Sequence, residues 1–425
     1  MISFIGVIIA FAVIIILIRF KFNFGLSLLF GSLIVAIFSL IDNSIIDVFR
    51  AFSKAIIYDF DKEIFDFQTI ELAILLTLIF LLAKTMQNSG AIQKVVTSLR
   101  TFFYRGGTLA VIPAVYGLMP VPGGALFSAP LVDEEGEKFC LNKDQKNFLN
   151  VWFRHIWFPI FPISSAMLLI TNSDYSNIGL NELIIANFPS FIAFILIGYL
   201  FLRFYMKKNS NNVEKPEMDK SGLIYLIIPV IPILLYILFV IIIGFEEIKL
   251  FQTRVFIVGV ILSIFALFFL LNIDWRKYLE LLKKSFSIKL ALVIIGIMVF
   301  RQMVEVSKAN DFIASVISDL PIHPIFIILI LPLLMGLITG YNLGAIALSY
   351  LLVEPFFEFT NINIIGLTSL VFMSALVGYL ISPIHLCNVV SSEHLKTDTT
   401  RMYKMYIPAS LSLLIVQTIF ILIFY

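Results

Sequence analysis

The chain has 425 residues, of which 60% are hydrophobic and only 14% charged, and its formal net charge is +2. A soluble fold of this size needs a far more charged surface. Apolar runs of about 20 residues, enough for a hydrocarbon core of roughly 30 Å, recur from end to end, and the lack of a long Lys/Arg tract excludes a nucleic-acid partner.

The first run ends at Arg19 and Lys21, with no basic segment before it and no small-residue cleavage site. It is expected to be a retained span and not a signal peptide. In the first half, spans are expected near 3–19, 24–41, 70–86, 150–170 and 183–204. The acidic, amphipathic stretch 42–69 is expected to lie on the outer surface. The apolar stretch 107–132 is interrupted by Pro120, Pro122, Gly123 and Gly124, and span 150–170 is broken at Pro159 and Pro162. A polar linker, 206–221, divides the chain nearly in half. Beyond it, spans are expected near 222–244, 253–272, 287–304, 362–388 and 405–425. Stretch 322–353 is interrupted at Thr339, Gly340, Tyr341, Asn342 and Gly344, and span 362–388 is broken at Pro383.

Basic residues decide whether the two interrupted stretches cross. Short cytoplasmic loops carry the Lys/Arg excess. With both stretches as re-entrant hairpins, twenty-two Lys and Arg fall on one face and six on the other, Arg154 and Arg301 lying within spans. Full crossings would scatter the pattern. The expected fold is thus an all-α polytopic membrane protein of ten crossings and two hairpins, with both termini outside and the linker cytoplasmic. Residues 1–205 and 222–425 each hold five crossings and one hairpin. Leu72-Ala73 aligns with Leu290-Ala291, Gly117-Leu118 with Gly336-Leu337, and Pro162-Ile163 with Pro383-Ile384, at offsets of 218 to 221. Five is odd, so the second repeat is inverted, the architecture of alternating-access carriers.

Non-helical backbone at membrane depth is tolerated only inside protein or beside a wet cavity, so the four breaks are expected to converge. Pro120, Pro122, Gly123, Gly124 and Ser128 mark one hairpin tip; Thr339, Gly340, Tyr341, Asn342 and Gly344 mark the other. Such tips bare peptide groups, and half-helix N-termini favour an anion. Ser164, Ser165, Ser382, His385 and Asn388 flank the prolines of the broken spans and are candidate ligands for a solute or a cation. Arg154 and His155 lie a few residues into their span, where Arg154 either snorkels to lipid phosphates or meets substrate. Arg301, near an outer span end, is expected to reach water.

The segments Gly117–Pro130 (GLMPVPGGALFSAP), Trp152–His155 (WFRH) and Gly378–Leu386 (GYLISPIHL) resemble an uncharacterised family of prokaryotic membrane proteins, domain of unknown function 401. That family is similar to the ion-transporter superfamily of gluconate permeases, arsenite antiporters and dicarboxylate–sodium symporters. The resemblance implies two re-entrant hairpins, mid-membrane binding, often a homodimer, and ion-driven movement of a small anion across the prokaryotic cytoplasmic membrane. The Ser-Asn-Thr hairpin signature of the dicarboxylate–sodium branch is at neither tip.

The leading reading is therefore a secondary carrier of a small organic or inorganic anion. No cofactor is expected beyond Na+ or H+ as coupling ion, and the two cysteines, Cys140 and Cys387, show no metal-ligand spacing and are expected to remain separate thiols. The alternatives are a membrane subunit needing a soluble binding protein, a passive channel, and an intramembrane enzyme. Against the enzyme, the chain holds no His-Glu-x-x-His pair and no Gly-x-Ser-x-Gly turn.

Overall fold

Apolar runs in lipid satisfy their backbone by coiling into helices, and the computed structural model is nearly all helical. It describes residues 2–103, 106–119, 123–176, 178–206, 217–309 and 323–425. In the first half these form α1 (Ile2–Arg19), α2 (Phe24–Ser39), α3 (Ile45–Ile56), α4 (Gln68–Asn88), α5 (Ala91–Phe102), α6 (Thr108–Gly117), α7 (Ala125–Lys138), α8 (Lys143–Arg154), α9 (Ser165–Ile170) and α10 (Leu180–Met206). The second half adds α11 (Ile231–Ile243), α12 (Phe245–Leu271), α13 (Trp275–Ser285), α14 (Lys289–Val306), α15 (Pro324–Thr339), α16 (Asn342–Val353), α17 (Ile364–Leu380), α18 (Leu386–Leu395) and α19 (Thr399–Phe424).

Five described helices are long and apolar enough to cross a membrane, namely α1, α4, α10, α12 and α19; α13 with α14, meeting at 41°, makes a sixth candidate. Several expected spans are divided. The run 222–244 becomes a 3-10 turn, Leu223–Ile227, followed by α11, which starts beside Pro232. The amphipathic stretch 42–69 holds α3, which opens on a capping box between Ser44 and Asp47, and a short hairpin pairing Tyr58–Asp59 with Ile64–Phe65. That hairpin is the one departure from an all-α chain among the described residues.

Between apolar helices in lipid, close backbone approach does what water exclusion does elsewhere. Gly25 of α2 and Gly296 of α14 meet: a methyl group on Gly296 would sit 2.6 Å from the Gly25 carbonyl oxygen. The helix contacts follow a reciprocal pattern. α1 packs on α2 as α11 packs on α12; α2 meets α14 as α12 meets α4; α6 meets α8 as α15 meets α17. The pattern continues across the halves, where α7 packs on α18 as α16 packs on α9, and α10 meets α17 as α19 meets α8.

Buried side-chain networks fasten these crossings. Asn187 of α10 donates to the Pro159 carbonyl at 3.0 Å and accepts from the Ser369 hydroxyl of α17 at 2.7 Å. Gln417 of α19 donates to Ser369 at 2.6 Å and accepts from Ser190 at 2.6 Å. The first span break is thereby held by polar groups from three helices. Arg301, expected to reach water, is half-buried and lays its guanidinium over the Tyr175 ring at 4.9 Å, a cation–π contact that shelters part of the charge.

Candidate functional site

Two helix breaks face each other at the heart of the fold. After Arg154, α8 gives way to a non-helical stretch through Trp157–Ile163, where Pro159 and Pro162 withhold amide donors. The Ser164 hydroxyl then caps α9 by accepting from the Met167 amide at 3.3 Å. In the second half α17 ends at Leu380, and Pro383 separates it from α18, for which His385 is the N-cap. The His155 and His385 rings meet edge to face across the gap, 4.8 Å between centroids.

The interrupted stretches approach these breaks closely. A Cβ on Gly117 would lie 2.0 Å from the Arg154 carbonyl oxygen, and one on Gly378 would lie 2.0 Å from that of Leu333. Gly123 and Gly340 turn with φ of +69° and +58°, the left-handed region that glycine enters without a Cβ penalty. Gly340 lies against Ile384 and His385, and Gly123 against Leu386.

These segments enclose a cavity of ≈ 130 Å³. Gly123, Arg154, His155, Ser164, Ser165, Gly340, Tyr341, Asn342 and His385 line it, as do Tyr379 and Cys387. Leu76, Ile79 and Phe80 of α4 and Leu290 of α14 form an apolar wall. The N-terminal approaches to α7, α16 and α18 all border the space, with Gly124, Tyr341 and His385 as N-caps. None of the three caps closes its helix with a side-chain bond, so the positive ends of three helix dipoles converge there.

Arg154 adds a full charge. It does not snorkel: only 4% of it is exposed. Its Nη1 donates to the Tyr116 carbonyl at 2.7 Å, and its guanidinium fills the space a Cβ on Gly124 would take. That glycine, read from the sequence as a bare tip, is the cradle of the arginine. Asn342 keeps its Oδ1 buried with no partner among the described residues, although Asn is a residue that needs polar neighbours when buried.

The remaining sequence candidates among the described residues lie off the cavity lining. Ser382 donates to the Leu337 carbonyl at 2.7 Å, tying the second break to α15, whereas Thr339 donates to that of Met335 at 2.7 Å within α15 itself. Asn388 braces the second break by donating to the Leu380 carbonyl at 2.9 Å. Gly344 packs against Phe24. Ser128 donates to Asn150 Oδ1 at 2.5 Å, and Asn150 donates in turn to Ser391 of α18 at 2.8 Å. Pro120 and Pro122 lie outside the described residues. Sequence reading missed Asn147 and Asn150, one turn apart on α8, as well as the places of Tyr379 and Cys387 on the cavity lining. The Asn147/Asn150 spacing was the available signal, since two amides on one apolar helix face must meet partners.

Fold and site together define a multi-pass, nearly all-helical membrane protein with a buried, electropositive central cavity. The family model described as "Protein of unknown function (DUF401)" matches residues 2–423, and the chain belongs to that family. No curated protein matches the sequence. Among solved structures, MtrF of Neisseria gonorrhoeae, whose structure is described as illuminating a class of antimetabolite efflux pumps, has the same fold. The likeness has a TM-score of 0.53 at 13% identity and covers 83% of this chain and 80% of that one.

Proposed function

We propose that this chain is a secondary transporter of a small anion, coupled to Na+ or H+ and working by alternating access in the prokaryotic cytoplasmic membrane. The observation that carries the reading is the convergence of buried Arg154 and three helix N-termini on one small cavity between two helix breaks. A cation and aligned peptide dipoles in a low-dielectric space attract negative charge strongly. A cation without an anionic ligand beside it would meet that field unfavourably. The description of MtrF as one of a class of efflux pumps supports movement of a solute over chemistry upon it.

The reciprocal contacts between halves support two inverted repeats, 1–205 and 222–425, joined by the linker 206–221. An exchange of partners such as α7 on α18 for α16 on α9 is what a two-fold relation between halves produces. The same reading makes 107–132 and 322–353 re-entrant hairpins and sets both termini outside. Alternating access then consists of one half-helix assembly rocking about the central cavity.

The test is flux. Purified protein in liposomes, offered a panel of small carboxylates and inorganic oxyanions under imposed Na+ and proton gradients, is expected to accumulate at least one of them in a gradient-dependent way. Arg154→Lys keeps the charge but not the planar fork that reaches Tyr116, and should cut the rate about tenfold or more. Uptake of every anion indifferent to both gradients overturns the carrier reading.

A further inference from the structure

Three metal-ligating side chains that are far apart in sequence share one wall of the cavity. His155, His385 and Cys387 are all buried, and one ligating atom from each lies within 4.8 Å of the other two. The cluster spans both halves of the chain, His155 coming from the first break and the other two from the second.

Two observations set it apart from an ordinary packed cluster. His155 Nδ1 lies 2.6 Å from the Val151 carbonyl oxygen, an acceptor only, so Nδ1 carries the proton and Nε2 presents a lone pair. A backbone carbonyl fixing the tautomer in this way is the usual support of a metal-bound imidazole. No spacing along the chain announces the set, because the ligands come together only through tertiary packing. His385 is 1% exposed, and one of its ring nitrogens lies toward the Leu380 carbonyl without a well-formed hydrogen bond. A buried imidazole with a nitrogen left unanswered is uncommon in folded proteins, and a ligand arriving in the cavity would answer it.

From this geometry we infer that His155 Nε2, one ring nitrogen of His385 and Cys387 Sγ form a binding site for a soft d10 metal ion of the Cu+ class. A thiolate with two imidazoles selects copper(I) or zinc over hard cations. Charge chooses between them. Arg154 and the helix N-termini already make the cavity positive, and a Cys387 thiolate cancels a monovalent ion completely while leaving a divalent one with excess charge. Metal–nitrogen and metal–sulfur bonds of about 2.0–2.3 Å require the ligands to close by roughly 1 Å, a side-chain adjustment. The Tyr379 hydroxyl, 3.3 Å from His155 Nε2, would give up that nitrogen to the ion.

The site goes beyond the anion reading and is tested without any flux measurement. Full-length protein in detergent, kept reduced, is titrated with Cu+ against a competing chelator and, in parallel, with Zn2+. Wild type should retain one Cu+ per chain, with an X-ray absorption spectrum showing both sulfur and nitrogen neighbours. Cys387→Ser and His385→Gln should each weaken retention by about tenfold or more, while Cys140→Ser leaves it unchanged. Bound Cu+ should also raise the melting temperature of wild type, because it bridges the two breaks. A spectrum without sulfur, equal retention by wild type and Cys387→Ser, or tighter retention of Zn2+ than of Cu+ overturns the assignment. Should the variants fail to fold, the wild-type spectrum alone decides.

Discussion

Arg154 and Asn342 meet the cavity with different obligations. The arginine is already engaged by the Tyr116 carbonyl, whereas the Asn342 carbonyl oxygen has no partner among the described residues. That oxygen can only accept, so its partner would be a coupling Na+ or a proton donor and not the anion itself; replacing Asn342 by Ala should lower coupled transport several-fold, while Phe269→Ala, on a ring 73% exposed on α12, should leave it unchanged. Equal rates in a liposome assay would remove Asn342 from the site. Asp174, in the loop between α9 and α10, makes a separate prediction. Burial, reinforced by the nearby Asp66 carboxylate and opposed by Arg301, pushes its carboxyl up to about 6. A raised folded value means that its stabilising contribution is complete below the unfolded value near 3.8 and is lost as pH rises through about 6. The melting temperature of wild type should thus fall relative to Asp174→Asn between those limits, by the equivalent of about 1–3 kcal/mol; parallel curves would refute it. The histidines beside the prolines were legible from sequence because breakers mark them. Cys387 and Tyr379 were not, since their cavity faces depend on how α17 and α18 wind and on what the other half brings against them.

At the level of elements, the crossings at Gly117 and Gly378 leave no room for a side chain. Alanine at either position would set a methyl group 2.0 Å from a backbone oxygen, and backbone cannot yield as a flexible side chain does. Each substitution should cost about 1–3 kcal/mol, read as a lower melting temperature in detergent, and an unchanged value would show that the crossing can slide. Asn187→Ala should cost about 2–3 kcal/mol, because it strips partners from the Pro159 carbonyl and the Ser369 hydroxyl together. The positions of the breaks were readable from Pro and Gly. α5 and α13 were not: each is a short helix carrying Lys or Arg among its apolar residues, so a search for long apolar runs passes over both. The 3-10 turn before α11 was likewise hidden, as its residues are as apolar as those of the helix.

For the whole molecule, the proposed repeat rests in the sequence on a near-constant offset between short identities, too sparse to specify contacts. The exchange of helix partners between halves is a property of three-dimensional packing that no alignment of one half on the other contains. The proposed sidedness has a direct check. Cys140, exposed at the end of α7, and a cysteine introduced by Lys220→Cys, at an exposed linker position, should react with an impermeant maleimide from the same face of sealed vesicles. Reaction from opposite faces would abolish the hairpin topology. The size of the central space has a consequence of its own. At ≈ 130 Å³ it is slightly smaller than the roughly 150 Å³ void that accommodates benzene, so in this shape it houses a guest of about six non-hydrogen atoms. A homologous ladder of monocarboxylates should accordingly show a sharp length cut-off in competition assays, as the chamber discriminates by bulk before it discriminates by charge.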